Sequence, residues 1–499
     1  MRPQTHSFLF VGAQRGLRLT IVHETIRTLL GISSDCGGKV GTWKAINAAP
    51  SFYASTMLLL TDGTVLCHDA GSTESGTPNW WRLTPSPQGD YVAGTWSQVA
   101  PAPNAGHYFA SAVLADGRVF VAGGEYNGVA NPPAELCAAE IYDPVADTWH
   151  QLPTPDGWTA IGDAPCCMLP DGRVLIGSIE SRETALFDPV TEHWTPGPMK
   201  YGNAETSSTE ESWVLLGDGS VLSVDCKGHP DTERLLPTRN GWVSAGPTSV
   251  DLVDALSLEV GPAVLLTDGR VFALGATGET SIFLPPVGGG VGGVWEPGPP
   301  IPERPPDPRT IGAKDAPACL LPNGKVLCTG GPLDGVTDYL GPTYFYEYDP
   351  VANAFSFLAA PPNMDAALGP YTGRFLVVPT GQVLFSDSTQ MIWIYTPDGQ
   401  PAPDWHPTTT DCPNRLVLGA TYTLKGTQFN GLSQGAFYGD DATMATNYPI
   451  VRLDDAANHR SVYCRTHDHS TMGVATGATT VTTSFDVPAD CPPGTISSS

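Results

Sequence analysis

The sequence predicts an all-β protein, in which a seven-bladed β-propeller precedes a small β-sandwich. Three observations lead to this prediction: a hairpin pattern that recurs seven times, an aromatic residue that marks each repeat, and the loss of both patterns after residue 406. The composition agrees with it. With 55 glycines, 48 prolines and only 15% charged residues among 499, the chain suits many short strands and turns better than long helices.

Each repeat begins with two apolar stretches that are joined by a short turn. In six of the seven copies the turn is Asp-Gly or Asn-Gly, and in the last it is Thr-Gly. Asn, Asp and Gly tolerate the positive φ that a tight hairpin needs, so the pattern predicts a β-hairpin. The turn glycines are Gly63, Gly117, Gly172, Gly219, Gly269, Gly324 and Gly381.

A third strand and an aromatic-marked fourth strand follow each hairpin. Four strands per unit of about 50 residues, repeated seven times, are typical of a kelch-type β-propeller. Eight markers bound the seven intervals, which predicts a ring over residues 40–406 that is closed by strands from both ends. The markers are Trp43, Trp96, Trp149, Trp194, Trp242, Trp295, Phe355 and Trp405.

The two ends of the chain lack the repeat. Residues 407–499 contain short β-rich runs separated by turn residues, such as LVLGATYTLKG and TTVTTSFDVP, which predict a small β-sandwich. Residues 1–39 show neither the repeat nor a clear signal peptide, and we expect a poorly ordered leader.

Charge and cysteine content limit the possible partners. A net charge of −26 disfavours binding to nucleic acid or to a membrane surface and favours cations or neutral polyols. We expect a monomer. Several cysteines lie in apolar strands, where buried thiols are common, and the compartment stays open. Cys412 and Cys491 could pair if the protein is exported, and residues 438–441 (YGDD) could hold Ca²⁺ or form a turn.

The combination of repeat and tail resembles the galactose oxidase-like family, a seven-bladed kelch propeller followed by an immunoglobulin-like β-sandwich. The resemblance spans roughly residues 40–499 and rests on GRVFVAGG at 117–124, the YDP–W strands and the final FDVPADCPPG. The family's closing strand after PPG has no counterpart, which suggests a truncated sandwich. The tail is also similar to uncharacterised bacterial kelch proteins that carry FNGLSQG, ATNYP and HSTMGVATG. The resemblance implies an extracellular location.

In such propellers the strand before the turn is the innermost, and its first residues face a central funnel. Four carboxylates in register around one axis would repel one another, so a raised pKa or a bound cation is expected. The alternative is a set of solvated loop residues or strand caps. The predicted funnel residues are Tyr108, Asp163, Glu210, Glu259, Asp315 and Tyr371, with Glu211 and Lys314 nearby.

The copper-radical oxidases of this family use a Cys–Tyr thioether, an axial Tyr followed by His, and a second His from the C-terminal domain. When the repeats of the family are aligned with those of this chain, Tyr108 stands at the position of the Cys and Asp163 at the position of the linked Tyr. Tyr371 matches the axial Tyr, but Thr372 replaces the adjacent His, and His467 is the plausible C-terminal match. The Cys–Tyr copper radical cofactor is therefore not expected.

His467 and His469 flank Asp468 in a loop that, in this family, rises through the propeller pore. Near a carboxylate ring they could bind a divalent metal together with Glu259 and Asp315. The alternative is a pair of loop histidines that hydrogen-bond to the propeller floor.

Two functional hypotheses follow. The first is a carbohydrate-directed enzyme or glycan binder that uses the acidic funnel for a glycan or another polar small molecule. The second is a non-catalytic interaction scaffold of the kelch type. For the first, Asp163 and Glu210 would be the acid/base pair. Tyr108, Tyr371 and Lys314 would bind substrate.

Overall fold

The computed structural model describes residues 7–8, 16–22, 41–129, 134–202, 207–239, 241–288, 290–336, 339–438, 445–455, 458–490 and 495–497. Strands dominate these residues, and the helical elements are two short 3₁₀ helices, Pro370–Thr372 and Pro403–Trp405. Within the same residues, no helix is both long and apolar enough to cross a membrane.

The strands are numbered in chain order. Three precede the first hairpin: β1 (Ser7–Phe8), β2 (Gly16–Val22) and β3 (Thr42–Ala45). The first three repeats contain β4 (Ala54–Leu59), β5 (Val65–Asp69), β6 (Trp80–Thr84), β7 (Thr95–Gln98), β8 (Ala110–Val113), β9 (Val119–Ala122), β10 (Ala139–Asp143), β11 (Thr148–Leu152), β12 (Cys166–Met168), β13 (Val174–Gly177), β14 (Thr184–Asp188) and β15 (His193–Pro196). The next two contain β16 (Ser212–Leu215), β17 (Val221–Val224), β18 (Asp231–Leu236), β19 (Gly241–Pro247), β20 (Ala263–Leu265), β21 (Val271–Leu274), β22 (Thr280–Leu284) and β23 (Val294–Pro297).

The last two repeats contain β24 (Ile311–Gly312), β25 (Pro317–Leu320), β26 (Val326–Pro332), β27 (Tyr344–Asp349), β28 (Ala354–Leu358), β29 (Arg374–Val377), β30 (Val383–Ser386) and β31 (Ile392–Thr396). The C-terminal part contains β32 (Thr408–Asp411), β33 (Thr421–Thr427), β34 (Ala436–Tyr438), β35 (Ile450–Asp455), β36 (Arg460–His467), β37 (Val481–Asp486) and β38 (Thr495–Ser497).

Each repeat forms one antiparallel sheet, in which four strands are hydrogen-bonded in chain order. Two sheets differ: the sheet of β29, β30 and β31 takes its fourth strand, β3, from the other end of the repeats, with Trp43 paired to Tyr395, and the sheet of β25 to β28 also includes β24 and β34. All seven turn glycines of the repeats have positive φ, between 75° and 88°. The prediction of an all-β protein is confirmed, and the four-stranded antiparallel sheets are those of a β-propeller.

The first strands of the sheets contact one another in a closed cycle: β4, β8, β12, β16, β20, β25, β29 and again β4. Within each sheet the first strand pairs with the second. The residues that precede the first strands therefore lie at one end of this cycle, and the hairpin turns lie at the other end.

The N-terminal strands β1 and β2 join six C-terminal strands in one sheet, with the order β1-β38-β2-β35-β36-β37-β33-β32. Within the N-terminal segment that the sequence analysis expected to be poorly ordered, residues 17–22 of β2 pair antiparallel with β35. The alternation of Leu17, Leu19 and Ile21 in the sequence is typical of a strand.

One C-terminal strand is inserted among the first strands. β34 pairs antiparallel with β25, with Tyr438 opposite Pro317 and Ala436 opposite Cys319, and it also contacts β29 and β20. Just before β34, Gln434 accepts a hydrogen bond through Oε1 from the main-chain N–H of Leu215 at 3.0 Å. The C-terminal part thus contributes backbone pairing at the centre of the cycle.

Ring closure by β3 gives a testable prediction. The Trp43 ring packs against Tyr395, Phe345 and Phe385, with centroid distances of 4.8, 5.3 and 5.8 Å. We expect Trp43→Ala to lower the free energy of unfolding by roughly 3 kcal/mol, the cost of removing a large aromatic side chain from a packed site. Thermal and denaturant unfolding followed by circular dichroism would measure this loss. Trp405→Ala, in the 3₁₀ helix beyond the last repeat, is the control and should cost less; equal losses would contradict a closing role for β3.

A buried glutamate predicts how stability depends on pH. Glu140 is 5% exposed, and burial raises its pKa to about 7 even though Asn104 donates to Oε1 at 2.9 Å. The folded state therefore holds a proton that the unfolded state releases at lower pH, and stability falls as pH rises toward 7.

We expect Glu140→Gln to stabilise the protein at pH 8 by up to about 3 kcal/mol and to have little effect at pH 4. Melting curves at both pH values would test this, with the exposed Glu183→Gln as control. Equal shifts at the two pH values would contradict the assignment.

Candidate functional site

Three carboxylates meet at the strand-start end of the cycle. One oxygen each from Glu210, Glu259 and Asp315 lies within 4.8 Å of the other two. These residues precede β16, β20 and β25, which contact one another in sequence around the cycle. Glu259 is buried and the other two are half-buried. Such proximity of like charges is unfavourable unless a proton or a cation is shared among them.

Asp163, which precedes β12, is the fourth member of this group. Burial raises its pKa and the charge of Glu259 adds to this, while a side-chain hydrogen bond with Glu210 acts in the opposite sense. Among the described residues, Asp163 Oδ1 and Glu259 Oε2 are buried and have no hydrogen-bond partner. The structure thus brings together the four predicted carboxylates, which we call the carboxylate cluster: Asp163, Glu210, Glu259 and Asp315.

The backbone is left-handed at three of the predicted funnel positions. The φ angles of Tyr108, Glu210 and Asp315 are 53°, 59° and 45°. This conformation is unfavourable by about 1–3 kcal/mol for a residue other than glycine, and such strain is concentrated at binding and catalytic sites. Surrounding contacts must therefore hold these strand starts in place.

Beside Glu210, the buried Glu211 supplies such contacts. Its carboxylate accepts hydrogen bonds from Lys200 Nζ, and from Trp213 Nε1 and Ser223 Oγ at 2.8 Å each. Burial alone would lower the pKa of Lys200, but the negative charge of Glu211 raises it. Burial raises the pKa of Glu211 to about 7, so the pair is fully charged above that pH, and it fixes the residue that follows the strained Glu210.

Lys314 has the same role beside Asp315. Its ammonium donates to Asp254 Oδ2 at 2.7 Å and lies 5.3 Å from the centroid of the Tyr339 ring. Burial would raise the pKa of Asp254, but the hydrogen bond from Lys314 lowers it. The sequence analysis predicted that Lys314 binds substrate; the structure places it in the wall of the site, in an ion pair with Asp254.

Tyr339 is a site residue that the sequence analysis missed. Its phenol donates to Glu259 Oε1 at 2.5 Å, and its ring packs against Tyr371 with a centroid distance of 4.9 Å. Burial and the charges of Asp315 and Glu259 raise its pKa. Tyr339 lies between β26 and β27, outside the repeated hairpin, so no repeat position could have identified it.

Tyr108 and Tyr371 precede β8 and β29, at the same end of the cycle as the carboxylates. The Arg374 guanidinium lies 5.3 Å from the centroid of the Tyr108 ring, and its Nη1 donates to the main-chain carbonyl of Tyr371 at 2.8 Å. Burial, followed by the charge of Glu74, raises the pKa of both tyrosines. Tyr371 is half-buried and contacts Tyr339, so it connects this group to the carboxylate cluster.

The structure does not bring the two predicted histidine ligands to the cluster. The main-chain N–H of His469 donates to the carbonyl of Ala115 at 3.2 Å, beyond the end of β8, whereas Tyr108 precedes its start. Burial lowers the pKa of His469 to about 3. His467 is held between Asp468 and Asp486, at 2.7 and 3.2 Å. Both histidines lie at the hairpin-turn end, and their imidazoles hydrogen-bond to Asp468, Asp486 and Thr483 of the C-terminal part.

Two other sequence hypotheses fall wholly or partly outside the described residues. Residues 439–441 of the YGDD stretch and Cys491, the suggested partner of Cys412, are not described. The strand cysteines Cys67, Cys167 and Cys328 are buried, and burial raises the pKa of their thiols.

Comparisons with known proteins agree with this architecture. The family model of the Kelch motif matches residues 106–155. A fungal alcohol oxidase of the AA5 family, solved in complex with copper, covers 92% of this chain and 95% of its own, with a TM-score of 0.55 and 14% identity. The chain has a kelch, galactose oxidase-like fold.

Other solved structures match more weakly. A streptogramin B lyase covers 72% of this chain and 98% of its own, with a TM-score of 0.46 and 10% identity. The virginiamycin B lyase of Staphylococcus aureus covers 71% and 99%, with a TM-score of 0.44 and 9% identity. No curated protein matches the sequence. At these identities the likeness concerns the fold alone.

The buried ion pair beside Glu210 gives a prediction. We expect Lys200→Met to lower the free energy of unfolding by roughly 3–5 kcal/mol, because it leaves the Glu211 charge buried and uncompensated. The double variant Lys200→Met/Glu211→Leu should recover part of this loss. Lys425→Met is the control, because its pair with Asp411 is exposed and is worth at most about 1 kcal/mol. A single variant as stable as the control would contradict this role.

Proposed function

We propose that the protein is a seven-bladed kelch propeller with a C-terminal immunoglobulin-like domain, and that its carboxylate cluster binds a divalent cation for recognition or conversion of a carbohydrate. The closed cycle of seven first strands supports the blade count. The C-terminal sheet, with its own buried cluster that includes Leu424, Val451 and Phe485, supports a separate domain.

The observation that carries the proposal is the convergence of three carboxylate oxygens within 4.8 Å. Hard divalent cations such as Ca²⁺, Mg²⁺ and Mn²⁺ are bound by carboxylate oxygens. Asp163 Oδ1 and Glu259 Oε2 are buried and have no hydrogen-bond partner among the described residues. A cation could take these carboxylate oxygens as ligands.

The hydrogen bond between Asp163 and Glu210 favours a cation-assisted site over a two-carboxylate glycosidase. Paired carboxyl groups of glycosidases are roughly 5–9.5 Å apart, so that the glycosidic bond fits between them. Asp163 and Glu210 instead contact each other directly. In our proposal the two carboxyl groups share one proton, which can pass between them.

A polyol would complete such a site. Hydroxyl groups can replace water on a hard cation, and the half-buried ring of Tyr371 could pack on a sugar. The net charge of −26 favours a neutral glycan or small polar molecule over nucleic acid or an anionic membrane. An extracellular, monomeric protein is part of this proposal and rests on the family resemblance.

We further propose that the chemistry differs from that of the copper-radical oxidases, because the residues do not fit that cofactor. Tyr108 and Asp163 occupy the positions of the linked Cys and Tyr. The Thr372 hydroxyl, in place of a histidine ligand, donates to the carbonyl of Gly369 at 3.1 Å. His467 lies at the hairpin-turn end, bound to Asp486.

Cation binding is directly measurable. We expect Mn²⁺ or Ca²⁺ to bind the purified protein with a stoichiometry of one. At a free cation concentration of 100 times Kd, binding should stabilise the folded protein by about 2.7 kcal/mol and so raise its melting temperature. Glu259→Gln should abolish this shift. Glu296→Gln, on the exposed outer strand β23 of the same repeat, is the matched control and should bind normally.

Carbohydrate recognition is tested separately. Neutral glycans should bind to the cation-loaded protein and be released by a chelator. No calorimetric signal for Mg²⁺, Ca²⁺ or Mn²⁺ at millimolar concentration, or full binding by Glu259→Gln, would refute the cation site. Glycan binding that survives the chelator would refute the role of the cation in recognition.

A further inference from the structure

The two oxygens of Glu259 have different environments. Oε1 accepts a hydrogen bond from the Tyr339 phenol at 2.5 Å. Oε2 is buried and has no hydrogen-bond partner among the described residues. Oε2 is therefore the oxygen that can accept a ligand without sharing it with the Tyr339 phenol.

A closed set of contacts holds Tyr339 in this position. Its ring lies 5.3 Å from the Lys314 ammonium, and that ammonium donates to Asp254 Oδ2 at 2.7 Å. The main-chain N–H of Asp254 in turn donates to the carbonyl of Glu259 at 2.9 Å. The other side of the ring system packs against Tyr371, with a centroid distance of 4.9 Å. Main-chain and side-chain contacts therefore hold the Tyr339 phenol and the Glu259 carboxylate in a fixed position relative to each other.

We infer that Tyr339 is a positioning residue that sets the cation selectivity of this site, an inference that rests on the proposed function. The hydrogen bond to Oε1 orients the Glu259 carboxylate and competes with binding of a cation through both oxygens, so it favours binding through Oε2 alone. Mg²⁺ and Mn²⁺ take six ligands in octahedral geometry and accept such single-oxygen carboxylates, whereas Ca²⁺ accommodates six to eight oxygens and gains from carboxylates that bind through both. Tyr339 therefore favours the smaller ions.

The test is Tyr339→Phe, which removes the hydroxyl and keeps the ring between Lys314 and Tyr371. Affinities for Mn²⁺ and Ca²⁺ are measured by titration calorimetry on the full chain. We expect Mn²⁺ binding to weaken about tenfold, because Glu259 loses its fixed orientation, and Ca²⁺ binding to weaken less or to improve. The ratio of Mn²⁺ to Ca²⁺ affinity should therefore fall. A general loss of structure would weaken both ions equally and would not move this ratio.

Tyr344→Phe is the matched control, since the Tyr344 phenol also donates to a carboxylate, Asp307, at 3.3 Å in the same repeat. It should leave both affinities unchanged. If Tyr339→Phe does not fold, Lys314→Gln serves as the second variant, because it loosens the Tyr339 ring and should also lower the ratio.

The possible failures are distinguishable. Absence of cation binding in the unaltered protein would overturn the proposed function and, with it, this role of Tyr339. Normal binding with an affinity ratio that does not change in Tyr339→Phe would overturn the role of Tyr339 alone and leave the cation site intact.

Discussion

The site depends on the contact of the first strands in one closed cycle. Residues that are about 50 positions apart in the chain, such as Glu210, Glu259 and Asp315, are brought within 4.8 Å because each precedes one of these strands. The apolar strands and their hairpins supply the packing free energy. Charge repulsion among the carboxylates and backbone strain at the strand starts are unfavourable, and the packing of the sheets offsets them.

Ion pairs on the flanking residues explain how the strained strand starts keep their conformation. Glu211, after Glu210, is bound by Lys200, and Lys314, before Asp315, is bound to Asp254. The carboxylates of both ion pairs, Glu211 and Asp254, lie outside the cluster, so each pair stabilises the backbone beside a cluster residue without being part of the cluster.

The repeat allowed the fold to be predicted, and counting back from the hairpin turns gives Asp163, Glu210 and Asp315, whereas Glu259 requires a shift of one residue from Val260. The turn glycines have the positive φ that was expected, and Asp163 lies beside Glu210 as its repeat position implied. Two features could not be predicted in this way. Tyr339 lies in a connection without repeat register, and the pairings of β2 with β35 and of β34 with β25 join segments distant in sequence. Local periodicity identifies a strand without identifying its partner.

The galactose oxidase-like fold does not determine what happens at its axis. The alcohol oxidase shares 14% identity over 92% of the chain, so the sheets can be kept while the residues at their strand starts change. In this protein those positions hold carboxylates and tyrosines, and β34 pairs with β25 up to Pro317, two residues after Asp315. The C-terminal part therefore supports one of the cluster residues through the backbone. The side chains at these strand starts are held by their neighbours, since Glu211 beside Glu210 is bound by Lys200 and Lys314 beside Asp315 is bound by Asp254.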